Sequence, residues 1–221
     1  MTRFRFAYLL AALILIAFVR PFIEASVLGV GVADVLLFGT LLAGAFAVAG
    51  KCWHLIVVAG LGVASALSQG LFLLTSNHVA ARVFLLVTLA FYFVVGVLLL
   101  VAMFDGRRVT ADTICQAMSV YLLLGLIGAM AYALLESVVP GSFSFPAGAA
   151  EPDRFDRFLG FSFVTLTTLG YGNISPASPR ADALTTLQAA AGQIYLAIVV
   201  ARLVGVQIGQ TSADPLKDEP S

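Results

Sequence analysis

"TLTTLGYGNISP", Thr165 to Pro176, is a polar knot of threonines, glycines and a tyrosine set between two long apolar runs. Its meaning depends on the solvent around it. Of the 221 residues, 61% are hydrophobic and 11% are charged, and the mean hydropathy is +1.03; a soluble domain carries roughly a quarter charged residues. The chain reads as an all-α integral membrane protein embedded in a lipid bilayer. Its formal net charge is zero, so no nucleic-acid partner and no polybasic grip on lipid headgroups are expected. Cys52 and Cys115 are too few and too far apart for a disulfide framework or a metal knuckle, and both read as small apolar helix residues. No catalytic or transition-metal constellation is visible, so an enzyme is not expected, nor a cofactor or a soluble partner.

Apolar runs of about 18 residues or more are candidate membrane spans. Five qualify or nearly so: Val27 to Ala49, Trp53 to Leu74, Val79 to Phe104, Thr113 to Val138 and Ala183 to Ile208. A shorter first run, Phe6 to Val19, follows Arg3 and Arg5 and stops at "RPFIEAS", which leaves a cleaved signal peptide over residues 1–26 as a competitor. Glu24 stands where such a cut calls for a small residue, and Phe22 and Ile23 extend the apolar run, so a retained span is the expectation. That gives six transmembrane helices with N- and C-termini on the cytoplasmic side. The Lys/Arg bias between the two sides is weak. The expected division is a four-helix peripheral domain over 1–104, a short cytoplasmic linker over 105–112, a pore domain over 113–210 and a polar, disordered tail over 211–221.

The segment from Pro140 to Asp182 is the informative one. It opens with the surface loop "PGSFSFPAGAAEPD", after which "RFDRFLGFSFVTLTT" runs about 15 residues, short of the roughly 20 that a helical span requires. A helix of that length enters the membrane and must return. The "LGYGNISPASPR" that follows cannot continue a helix, and irregular backbone at membrane depth is tolerated only where it is buried in protein or lines a water-filled path. A re-entrant pore helix and loop between the last two spans is therefore expected. An ion leaving water needs its hydration oxygens replaced, and stacked backbone carbonyls do this without a full charge that would trap it. Aiming successive carbonyls at one axis requires alternating conformations, some at positive φ, which Gly170 and Gly172 reach without steric cost. The Thr168 hydroxyl can add an oxygen at the inner end, Tyr171 can brace the loop, and the C-terminal end of the preceding helix favours a cation.

These residues resemble the TVGYG selectivity filter of potassium channels, written here as Thr168, Leu169, Gly170, Tyr171 and Gly172. The resemblance implies that the carbonyls of Thr168, Leu169, Gly170 and Tyr171, with the Thr168 hydroxyl, coordinate dehydrated K⁺, supported by Thr167 and Asn173. It makes "FSFVTLTT" a pore helix and Gly192 a candidate gating hinge. It makes Gln193, Leu196 and Val200 candidates to line the cavity. From Thr113 to Gln210 the chain looks like a bacterial pore module, and the preceding spans complete a six-span layout. One filter copy per chain implies a homotetramer in a cell membrane, by analogy a bacterial inner membrane. The expected function is passive K⁺-selective conduction.

Three departures from the family pattern matter. Asn173 stands where aspartate is usual, Gly160 and Phe161 stand where many members have a tryptophan pair, and the fourth span carries only Arg82 where a voltage sensor repeats arginine. Voltage gating is therefore not expected, and a weakly selective cation channel is the alternative; a nonconducting subunit or transporter component is a third reading. Gly192 can equally be a packing contact, and Gln188 and Gln193 can face the cavity or bond a neighbouring helix. Glu151, Asp153 and Asp156 read as a solvated loop that can also attract cations. Asp34, two turns into its span, is a candidate ion-pair partner for Arg82.

Overall fold

The structure is a computed structural model that describes residues 5–19, 39–40, 52–75, 77–105, 110–146 and 154–212. Helix α1, Arg5–Ile14, continues through a π-helical turn, Leu15–Val19. Helices α2, Cys52–Thr75, and α3, His78–Asp105, follow, then α4, Ala111–Val138. The two-residue strand β1, Phe143–Ser144, precedes helix α5, Arg154–Leu166; strand β2, Ser175–Pro176, precedes helix α6, Pro179–Ser212. Among the described residues, α2, α3, α4 and α6 are long and apolar enough to cross a membrane. The expected span Val27 to Ala49, with Asp34, lies outside the described residues except for helical Gly39 and Thr40. Residues 106–109 of the 105–112 linker, Glu151 and Asp153, and the tail from residue 213 lie outside them too.

The helix ends follow local chemistry. Thr110 caps α4: its hydroxyl accepts from the Thr113 N–H at 3.3 Å while the Thr113 hydroxyl accepts from the Thr110 N–H at 3.3 Å, and Asp112 lies in the first turn. Ser178 caps α6 by accepting from the Ala181 N–H at 3.2 Å, ahead of Pro179 and Asp182.

Polar contacts along apolar helices fix their directions. Near the start of α4, Gln116 donates to the Leu99 carbonyl late in α3 at 2.7 Å, and near the start of α3, Arg82 donates to the Ser137 carbonyl at the end of α4 at 2.6 Å. The two helices are antiparallel neighbours. Tyr195 of α6 donates to the Ala117 carbonyl at 2.6 Å, which brings the middle of α6 beside the start of α4, and Arg202 donates to the Met103 carbonyl at the end of α3. One face of the molecule therefore holds the ends of α3 and α6 and the start of α4. The opposite face holds the end of α4, the β1–β2 pair and the start of α6. Helix α1 and its π-helical turn bury Leu9, Leu13 and Ile16 in the core built around α3 and α4, and the Phe18 ring lies tilted against Phe163 of α5, centroids 5.6 Å apart. Ser65 of α2 and Thr88 of α3 share a hydrogen bond of 2.6 Å inside this bundle. Hydroxyls that pair across helices keep polar atoms satisfied where lipid offers no partner.

Candidate functional site

Helix α5 has 13 residues, about 20 Å at 1.5 Å per residue, too short to cross a hydrocarbon layer about 30 Å thick. Glycines let it come close to its neighbours. A Cβ at Gly125 of α4 would lie 2.4 Å from the Phe163 ring, and one at Gly192 of α6 would lie 2.5 Å from the Leu166 carbonyl oxygen. Gly192 sits inside the uninterrupted helix α6, where its missing side chain makes room for the end of α5.

The end of α5 is a Schellman cap. The Leu169 N–H donates to the Val164 carbonyl at 2.9 Å and the Thr168 N–H to the Thr165 carbonyl at 3.0 Å, the paired bonds that close a helix around a left-handed residue. That residue is Thr168, with φ of 58°, where glycine is usual. The Thr167 hydroxyl donates to the Phe163 carbonyl at 2.7 Å and holds the turn from the helix side. Positive φ then recurs at every second residue, at Thr168 (58°), Gly170 (65°) and Gly172 (75°). A Cβ on either glycine would meet nothing within 4 Å, so glycine is required there by conformation and not by space. Alternation of this kind turns successive carbonyls toward one side of the strand. The sequence anticipates it at the two glycines. It does not anticipate it at Thr168, because a β-branched residue at positive φ is an outlier.

The loop is exposed from Thr167 to Asn173, with Leu169 at 57% and Tyr171 at 71%, between buried Leu166 and Ile174. Ile174 leads directly into β2, where Ser175 pairs with Ser144 and Pro176 with Phe143, and the Ala177 N–H donates to the Ser142 carbonyl at 2.8 Å. Glu136, buried near the end of α4, anchors that pair: its carboxylate accepts from the N–H of Gly141 at 2.9 Å and of Phe143 at 3.2 Å. Glu136 escaped the sequence reading because an acid at a span end looks interfacial. Asn173 accepts from the Ile174 N–H at 3.1 Å.

Where the family resemblance implies a tryptophan pair, Gly160 is exposed and Phe161 turns away into a cluster with Tyr132 and Phe143, at ring distances of 5.3 Å and 5.9 Å. Phe158 joins the same cluster from the first half of α5, 5.1 Å from Phe143. A cleft of about 410 Å³ is left between helix and loop, lined by Asp156, Gly160, Phe161, Val164, Tyr171 and Asn173 among others. Tyr171 thus borders open space.

Gln188 does not face a cavity. It is buried, with Nε2 donating to the Ser162 hydroxyl at 2.7 Å and to the Leu124 carbonyl at 3.3 Å, and Oε1 accepting from the Tyr132 hydroxyl. Gln193, Leu196 and Val200 are exposed on the same helix, Leu196 at 39% and Val200 at 57%. Arg82 is bonded to Ser137, while its expected partner Asp34 lies outside the described residues.

Residues 118–207, from α4 through α6, match a family model described as "Ion channel". The inward rectifier potassium channel Kirbac3.1 of Paramagnetospirillum magnetotacticum is 35% identical over 82 residues, covering 35% of this chain and 24% of the relative. The chain thus aligns with about a quarter of that protein's length. No solved structure matches significantly. Residues 118–207 are thus similar to an ion-channel domain, in a chain whose helices include four of membrane-spanning length among the described residues.

Proposed function

We propose that this chain is one subunit of a homotetrameric, K⁺-selective channel that conducts passively across a cell membrane. The carbonyls of Thr168, Leu169, Gly170 and Tyr171, with the Thr168 hydroxyl, replace the hydration shell of K⁺. The observation that carries this reading is positive φ at Thr168, Gly170 and Gly172 in a loop that leaves the end of a half-span helix. The α5 C-terminus adds partial negative charge at the inner end of the loop.

Four subunits follow from the chemistry of the loop, since one strand of carbonyls surrounds nothing. Helix α6 supports this, because it carries an exposed apolar face that includes Leu187, Ile194, Ile198 and Val204. In the tetramer part of that face meets neighbouring subunits and part lines the cavity. Both termini are placed on the cytoplasmic side, opposite the filter mouth. Voltage plays little part, because α3 carries only Arg82 in its first two turns.

A weakly selective cation channel is the second reading. It is favoured by the cleft of about 410 Å³ behind the loop and by Asn173 in place of an acid, since a loop less firmly backed discriminates less well between ions. Purified full-length protein in liposomes, loaded with K⁺ or Na⁺ and given no ligand, separates these readings. K⁺-driven flux with little Na⁺ flux, from a species that cross-links to four chains, is expected. Equal fluxes favour the second reading, and no flux of either ion removes both.

A further inference from the structure

Helix α6 touches the pore helix at two successive turns: Gln188 meets Ser162, and Gly192 meets Leu166 four residues further along both helices. The second contact is steric and the first is polar. We propose that Gln188 is a positioning residue for the selectivity filter, holding the rotation and depth of the pore helix through Ser162 while Gly192 sets how close the helices come. This deepens the proposed function and rests on it.

Ser162 donates its hydroxyl hydrogen to the Gly125 carbonyl at 2.6 Å, so toward Gln188 it can only accept, and Gln188 Nε2 supplies that donor at 2.7 Å. The second hydrogen on Nε2 points to the Leu124 carbonyl at 3.3 Å. Tyr132 donates to Oε1, and the Thr165 side chain lies beside the same phenol. Each hydrogen in the cluster has one destination, so the amide has one orientation. Tyr132 and Ser162 are fully buried, and Gln188 is 9% exposed.

Space is cleared for the network as well. A Cβ on Gly128 would lie 2.0 Å from Gln188 Nε2 and 2.5 Å from the Ser162 hydroxyl. Three helices, α4, α5 and α6, thereby meet at one amide. Ser162 lies on the helix whose Schellman cap at Thr168 starts the filter, so a turn of α5 about its axis would re-aim the Thr168 carbonyl and hydroxyl. Lipid offers no substitute partners for these polar groups, and the network therefore resists that rotation.

The experiment uses full-length protein in planar bilayers, reading the K⁺-to-Na⁺ permeability ratio from bi-ionic reversal potentials for Gln188→Met, Gln188→Glu and Ser162→Ala, with the cross-linked oligomer measured beside each. Methionine keeps the length and removes the polar atoms. Glutamate keeps the shape but, held neutral by burial, carries one donor where the amide has two, so it cannot serve Ser162 and Leu124 together and fails as well, which a space-filling role would not produce. Assembled channels of all three variants are expected to lose about fivefold to thirtyfold in permeability ratio, the equivalent of one interhelical hydrogen bond. If a Gln188 variant does not assemble, Ser162→Ala, which only removes an oxygen, decides the matter. Assembled variants that keep the wild-type ratio overturn the positioning role and leave the channel reading intact. A wild-type protein that conducts without preferring K⁺ overturns the reading itself, and the positioning role with it.

Discussion

The Arg202 guanidinium lies over the Phe104 ring, 4.7 Å from its centroid, and donates to the carbonyls of Met103 at 2.6 Å and Phe104 at 2.9 Å. The second half of α6 is thereby fastened to the last turn of α3. A cation at a helix C-terminus and over an aromatic ring contributes about 1–2 kcal/mol. Arg202→Gln is expected to lower stability by that amount in thermal unfolding in detergent. Arg202→Lys recovers only part of it, because an ammonium cannot both stack and reach two carbonyls in a fixed plane. Unfolding temperatures indistinguishable from wild type in both variants would remove the clamp.

Thr168 closes the α5 cap in a conformation that costs a β-branched residue about 1–2 kcal/mol and glycine almost nothing. Thr168→Gly is therefore predicted to leave the fold as stable or make it more so, while removing the hydroxyl proposed as an ion ligand. Stability and K⁺ flux should move in opposite directions. Thr168→Ser keeps the hydroxyl and should keep most of the flux. A Thr168→Gly protein that is less stable and fully conducting contradicts both halves of this assignment.

At Gly192, alanine would place its Cβ 2.5 Å from the Leu166 carbonyl oxygen. That atom is backbone and cannot swing aside, so overpacking of about 1–3 kcal/mol is expected. Gly192→Ala should assemble less well. If Gly192 is instead a hinge and nothing more, the variant assembles at wild-type yield and differs only in open probability. Cross-linking yield beside single-channel recording distinguishes the two.

Glu136 holds the strand pair behind the filter through two backbone N–H groups. Replacing it with alanine leaves both donors without that partner, at a cost of about 1–3 kcal/mol for each one that water cannot reach. The amides of Gly141 and Phe143 are expected to gain hydrogen-exchange rate by roughly tenfold or more in Glu136→Ala. Unchanged exchange at both would mean that the β1–β2 pair stands without the carboxylate.

The Arg82 guanidinium is tied to the Ser137 carbonyl at the end of α4. Moving one elementary charge through the membrane field is worth about 2.3 kcal/mol per 100 mV, too little for a steep response even if the whole charge crossed. Open probability should change little with voltage. Arg82→Gln is predicted to reduce assembly or stability without altering the slope, and a steep opening curve flattened by that change would show the peripheral helices sensing voltage.

Much of the site was legible because its chemistry is local. A 13-residue helix followed by glycines and prolines announces its own return, and Gly170 and Gly172 announce the backbone they adopt. Thr168 was not legible as a left-handed residue, since the surrounding cap and not its own preference puts it there. Gln188 was open between cavity and neighbour because a uniformly apolar helix does not declare which face meets which partner; Gly125 and Gly128 of α4 supply the room that decides it. Glu136 bonds amides close by in sequence, at Gly141 and Phe143, but an acid at a span end looks interfacial and its spacing does not reveal that the carboxylate turns onto them. Asp34 lies outside the described residues, so its pairing with Arg82 stands as an expectation from sequence.

The most direct test of the central claim is the reversal potential of wild-type and Gly170→Ala channels recorded side by side with K⁺ on one side of a planar bilayer and Na⁺ on the other. Gly170 has φ of 65° and no atom of its own chain within 4 Å of a Cβ, so within each subunit alanine acts through a backbone cost of about 1–2 kcal/mol. The account predicts a wild-type reversal potential governed by K⁺, and an alanine variant that assembles but either conducts nothing or reverses near zero. A wild type that reverses near zero, or an alanine variant with the wild-type potential, would contradict the assignment of this loop as the ion-selecting element.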